Sequence, residues 1–182
     1  MNSPTVGYTK GGDRITSRVR NDAGASIPKG TPVGLSLDGT EDGLAVKLPS
    51  GMGSQALCDT FFYGVAKETI ADGEIGDVQL FGVVREAILR RATRGGSATS
   101  DNWAGSTSIA KGVLLSCDTV NNCFSTAAGS NTVGETTVTY INSRRAYAFL
   151  AEDVASFAST DSVATSNGTA LTVLAKVFVR NL

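Results

Sequence analysis

The sequence contains no histidine. That removes every triad or dyad that uses imidazole as its base. It also leaves a zinc site dependent on cysteine and carboxylate alone. Cysteine is scarce: Cys58, Cys117 and Cys123 make an odd number with no paired-ligand spacing. Three reduced thiols acting as small hydrophobes account for them. A Cys117–Cys123 bridge across a hairpin stays open for oxidising surroundings. Charge of either sign is not in excess, since 16 basic and 17 acidic residues leave a net charge of -1. Such a balance exerts no long-range pull on nucleic acid, so no nucleic-acid partner is expected. No apolar run is long enough to span a bilayer, and Met1-Asn2-Ser3-Pro4 lacks the charged and apolar regions of a signal peptide. The expectation is synthesis in the cytoplasm, no export by the usual route and no membrane partner.

Glycine, by contrast, is frequent at 21 residues, and serine and threonine are common. Many short strands and turns follow from that composition, and an all-β chain is expected. Its 182 residues suit one large domain or two small ones, and 41% hydrophobic residues suffice for a core. Residues 27–84 carry an order of phrases that the second half repeats. Lys29-Gly30-Thr31-Pro32-Val33 leads into an alternating strand, as Lys111-Gly112 leads into Val113-Leu114-Leu115-Ser116-Cys117. Gly64-Val65-Ala66-Lys67-Glu68 has its counterpart in Ala148-Phe149-Leu150-Ala151-Glu152-Asp153, and residues 72–84 in residues 171–179. Two copies are too few for a solenoid. Two related small β-barrel or β-sandwich-like modules, side by side, are expected: an N-terminal arm over 1–24, a first module over 25–94, a linker over 95–108 and a second module over 109–182.

Within the arm, Ile15, Ser17 and Val19 alternate with Arg14, Thr16, Arg18 and Arg20. Period two predicts a strand with a basic face. A charge-guarded edge strand accounts for it, and so does a segment that docks on an acidic partner or adds to its sheet. Val33, Leu35 and Leu37 predict a strand with one buried face, returning through Leu44, Val46 and Leu48. Residues 50–54 are expected to be a flexible connection. Gly64, inside the apolar stretch 61–70, predicts a bulge or a close backbone approach. Residues 85–91 fit either a strand extension or a short helix. Arg90, Arg91 and Arg94 form the one basic cluster, which a solvent-facing role or a contact to protein carboxylates explains. Asp118-Thr119-Val120-Asn121-Asn122 is a hairpin turn, 127–135 a small-residue loop, 136–141 a strand, and 156–170 a polar excursion.

Chemistry is thinly represented. Ser36 or Ser116 with Lys29 or Lys111 would allow Ser–Lys hydrolysis, yet these residues sit where a turn and its register suffice. Glu68 with Asp72, or Glu152 with Asp153, would allow acid–base work, but charges at a strand end before a turn need no catalytic explanation. A chain that is not an enzyme, with no cofactor and no metal, is the expectation.

The repeated phrases resemble those of the capsid cement, or head decoration, proteins of tailed bacteriophages. The first set lies in Lys29-Gly30-Thr31-Pro32-Val33, Gly64-Val65-Ala66-Lys67-Glu68 and Ile70-Ala71-Asp72-Gly73-Glu74-Ile75-Gly76-Asp77-Val78. The second resembles the lambda-type decoration pattern in Arg145-Ala146-Tyr147-Ala148-Phe149-Leu150-Ala151-Glu152-Asp153 and Thr172-Val173-Leu174-Ala175-Lys176-Val177. The resemblance implies a virion structural protein on the outer capsid surface, with the major capsid protein and further copies of itself, as dimer or trimer, for partners. Two modules in one chain depart from the single-module members, so their oligomeric state need not transfer. Arg14, Arg18, Arg20, Arg90, Arg91 and Arg94 are then the candidate capsid contacts. The alternative is a glycan-binding adhesin, with Trp103 and tyrosines stacking on sugars.

Overall fold

A computed structural model describes residues 9–11, 14–37, 45–53, 55–93, 109–126, 128–133, 136–141, 148–154 and 172–180. The chain is all-β. Five strands close on themselves: β2 (Arg14–Asn21), β4 (Ala45–Lys47), β3 (Pro32–Leu35), β5 (Phe62–Ala66) and β6 (Ile75–Thr93), with β6 returning to β2. The β2–β4 pairing is parallel and the others are antiparallel. Closure leaves none of these strands as a free edge for another chain. From β6 the same sheet continues through β12 (Thr172–Arg180), β11 (Ala148–Leu150), β7 (Leu114–Asp118) and β8 (Cys123–Thr126). β8 then rejoins β6 in parallel at Leu89↔Phe124 and Thr93↔Thr126. A short β1 (Thr9–Gly11) pairs with β2, and β9 (Ala128–Val133) with β10 (Thr136–Ile141) forms a separate hairpin sheet.

β6 is the element on which the rest is hung. It is 19 residues long, flanked by β2 and β5 over its first part and by β12 and β8 over its second. Its buried positions change phase on the way. Val78, Leu80 and Val84 point inward at even numbers, then Ala87 and Leu89 at odd ones. The switch falls at Arg85–Glu86, both exposed, where the register against β12 slips between Ala175 and Val177. A bulge of this kind adds one residue to one strand and re-aims every side chain after it. One strand serves two apolar clusters, with Val78 and Leu80 in the first and Val84, Ala87 and Leu89 in the second. The first holds Val19, Ile27, Val33, Val46, Ala66, Ile70, Val78 and Leu80. The second, larger cluster is built around Leu89, Leu115, Phe124, Leu150 and Val177. β5 contributes to both, since Ala66 enters the first while Phe62 and Val65 enter the second.

Several expectations change here. The arm over 1–24 does not hold for residues 14–21, because β2 is a wall of the five-strand ring. Ser17, Val19 and Asn21 are buried. Tyr63 Oη donates to Ser17 Oγ at 3.0 Å, and Asn21 Nδ2 donates to the carbonyl of Ile70 at 2.9 Å. Strand addition by this segment to a partner sheet is pre-empted, since β6 already occupies it from Ile15 to Arg20. A boundary at residue 94 also fails to separate the packing, for Ala87 and Leu89 of β6 sit in the cluster of the C-terminal strands. Residues 85–91 are strand throughout. A 3-10 turn (Pro49–Met52) replaces the flexible connection, and the short helix α1 (Gln55–Phe61) places Cys58 in the second cluster. Residues 128–133 are strand rather than loop. The excursion 156–170 and the linker 95–108 lie outside the described residues.

The alternation of β2 and the hairpin turn at Asp118 are found as expected. Asp118 Oδ1 accepts from the backbone of Val120 at 2.8 Å and Asn121 at 3.1 Å, and Asn122 takes a φ of 52°. Gly64 is a close approach: a Cβ there would strike the carbonyl of Gln79. All three cysteines are buried, and no disulfide joins Cys117 to Cys123.

Candidate functional site

The two Lys-Gly turns are built from the same bonds. In the first, the amide of Thr31 donates to the carbonyl of Pro28 at 3.2 Å, that of Gly30 to Ala66 at 2.8 Å and that of Ala66 to Thr31 at 3.0 Å. In the second, Val113 donates to Ala110 at 3.3 Å, Gly112 to Leu150 at 2.8 Å and Leu150 to Val113 at 2.9 Å. Gly30 and Gly112 adopt φ of 83° and 86°, a region that glycine enters without Cβ strain. An isolated bridge closes each turn, Ile27↔Ile70 and Ile109↔Val154. A glutamate then reaches a strand amide in each half: Glu68 Oε1 accepts from Asp77 at 3.0 Å, and Glu152 Oε1 from Lys176 at 2.8 Å.

Of the acidic side chains considered as acid–base pairs, Glu68, Glu152 and Asp153 are engaged in holding backbone. Asp153 Oδ1 accepts from the amide of Lys111 at 2.7 Å. Lys176 Nζ lies 2.9 Å from Glu152 Oε2. Its hydrogen bond, joined by that of its backbone amide, holds the Glu152 carboxyl below the ordinary glutamate value. Glu86 is lowered in the same direction by the hydrogen bond and charge of Lys29. The serines considered as nucleophiles are buried. Ser36 Oγ donates to Asp22 Oδ2 at 2.8 Å, away from the Lys29–Glu86 ion pair. Among the described residues no three cysteine or acidic side chains are grouped to hold a metal ion.

An open cleft of about 380 Å3 lies where Pro28, Thr31 and Leu48 face Ile88, Asn121 and Asn122. Among the described residues, its lining has no ionisable side chain. Asn122 Oδ1 accepts from the amide of Ser50 at 2.8 Å, tying the two sides together. The Thr31 hydroxyl is fully buried and has no hydrogen-bond partner among the described residues. Trp103, the aromatic proposed to stack on sugars, lies outside the described residues.

The candidate arginines divide into two places. Arg14, Arg18 and Arg20 are exposed on one face of β2, and Arg18 Nε lies 3.8 Å from Asp77 Oδ1. Arg90 and Arg91 are backbone positions near the far end of β6, and Arg94 is outside the described residues. Arg20 pairs with Ile75 and Thr172 with Arg90. Ile15 pairs with Phe81, so the β2 arginines lie from about nine to fifteen residues short of Arg90 along β6, roughly 30 to 50 Å. The two groups do not form one patch.

Sequence reasoning passed over a third group. Register sets Phe81 beside Arg180 and Val83 beside Phe178. The Phe81 and Phe178 rings meet edge to face, with centroids 5.3 Å apart. The signal was available in the alternation of Lys176, Phe178 and Arg180 on the last strand, but only the pairing with β6 brings Phe81 to them. Among the described residues, no helix is long and apolar enough to cross a membrane. No known family model matches the chain, and no curated protein matches it in sequence.

Proposed function

We propose that this chain is a capsid cement protein, a tandem of one small β unit that binds the outer surface of an assembled phage head and holds neighbouring major capsid subunits together. The observation that carries this reading is the pair of Lys-Gly turns with matching bonds, set in the phrases that resemble the head decoration proteins. In the tandem, β2 to the bulge of β6 makes the first unit and the rest of β6 to β12 makes the second. Each unit then has a parallel pair, β2–β4 and β6–β8, and a closing strand, β6 and β12. The chain is a bracket with two arms fixed at a set angle, because β6 belongs to both.

Such a bracket needs rigidity and contact area rather than a reaction pocket. Binding the assembled shell and not its separated subunits stabilises the shell by mass action. Modest contacts suffice, since units joined in one body raise each other's effective concentration at adjacent sites. Heads assembled with and without this chain test the reading by their resistance to heat. Heads that carry it are expected to rupture at a higher temperature and to lose that margin when the chain is stripped. Equal rupture temperatures would overturn the reading.

A further inference from the structure

The outward side of the β6–β12 pair carries two aromatic rings beside exposed arginines. Cross-strand partners project to the same side. Phe81, Val83 and Phe178 therefore share one face, and all three remain half-exposed. The opposite side of the same strands is closed, with Leu80, Val84, Val177 and Val179 buried. Arg180 stands exposed beside Phe81, and Arg85 continues the outward row beyond Val83. Neither arginine has an ion-pair partner among the described residues. Their neighbours are matched: Lys176 with Glu152, Lys29 with Glu86 and Arg18 with Asp77. The result is an aromatic pair with an unmatched guanidinium at each end, on a chain whose overall charge is nearly balanced.

We infer that this face is a docking surface for an acidic protein partner, one that seats an apolar side chain on Phe81 and Phe178 and sets carboxylates against Arg85 and Arg180. Aromatic and arginine side chains are the groups that protein contacts concentrate at their centres. Guanidinium favours carboxylate through paired, planar hydrogen bonds. A second copy of the chain is the poorer occupant, because a two-fold contact through this face brings each arginine toward others of its kind. Nucleic acid is poorer too, because the two rings lie at 78° to each other and offer no parallel platforms for bases. The inference rests on the proposed function only for the identity of the partner, the capsid subunit.

The test uses the whole chain, with Arg85→Glu and Arg180→Glu combined, and shells of the major capsid protein prepared without it. Both positions are exposed, so the variant is expected to melt as the wild type does. Co-sedimentation with the shells is expected to be at least about tenfold weaker for the variant, with the wild type weakened by added salt. The variant Arg85→Lys with Arg180→Lys keeps the charge and is expected to retain much of the binding. If the wild type binds and the charge-reversed variant binds equally, the docking face is wrong while the cement reading stands. If the wild type does not bind shells at all, the cement reading falls and the docking assignment falls with it. A variant that keeps shell binding but changes the oligomeric state of the free protein, or loses binding only to single-stranded DNA, would also overturn it.

Discussion

The turn at Lys29 and the turn at Lys111 share their hydrogen bonds and glycine conformation, yet they sit in different surroundings. The first is clamped to the shared strand: the amide of Ile88 donates to the carbonyl of Gly30 at 2.9 Å, and Lys29 pairs with Glu86. A Cβ on Gly30 would collide with the backbone carbonyl of Glu86. Gly112 has open space around it. Identical local geometry therefore carries unequal weight, and the difference comes from what each turn rests against. The first turn is fastened to β6 at its bulge.

The largest effect should come from breaking that fastening. Gly30→Ala is expected to cost about 3–5 kcal/mol, summing left-handed backbone strain and a backbone collision. Gly112→Ala is expected to cost only about 1–2 kcal/mol, the strain alone. Urea denaturation of the two variants measures this, and equal costs would erase the distinction between the turns. Next in size is Val19→Ala, which empties part of the first cluster and is expected to cost about 2 kcal/mol by the same measurement. An arm residue would cost nothing.

Thr31→Val reverses the sign. Thr31 buries a hydroxyl without a partner, whereas the second turn has Val113 at the matching place. Removing that hydroxyl at nearly constant shape is expected to stabilise the fold by up to about 1 kcal/mol, seen as a higher melting temperature. A lower melting temperature would mean that the hydroxyl serves the first turn in a way the second does without.

The smallest effect concerns the Glu152–Lys176 pair. The folded carboxyl titrates below its ordinary value of 4.5, so the folded state favours its charged form. Its contribution is present above that value and is lost as pH falls through the depressed pKa. Glu152→Gln is therefore expected to melt slightly below the wild type at neutral pH, with the gap closing in more acidic buffer. A gap that widened with acidification would contradict the assigned ion pair.

Much of this architecture was legible wherever a period of two met a single buried face. β2 read as a strand for that reason, and Gly64 announced a close approach that the Gln79 carbonyl makes. The single buried face expected for Val33, Leu35 and Leu37 does not hold: β3 ends at Leu35, Gly34 and Ser36 are buried, and Leu37 is exposed. The closure of the ring was not legible, because Ser17 and Asn21 find partners 46 and 49 residues away, at Tyr63 and Ile70. A strand with a basic face looked like an arm because its second neighbour could not be seen from its own residues. The far half of β6 was obscured by its bulge, which interrupts the alternation at Arg85–Glu86. Helix α1 was hidden by being short and running directly into the apolar residues of β5. The arginine row on β2 was readable as alternation. The face around Phe81 and Phe178 was not, since it exists only through the pairing of β6 with the last strand.

The double use of β6 also orders events on the ribosome. Every strand of the first ring has been synthesised by the time β6 emerges, so that half can close at once. Leu89 pairs with Phe124 of β8, but its cluster must wait for roughly 90 further residues, until Val177 and Val179 arrive to complete it. At about 5–20 residues per second that interval lasts several seconds or more. For that time the nascent chain carries a finished half with an uncovered apolar strand hanging from it, a natural substrate for a chaperone and the stage at which truncated products would stick to one another.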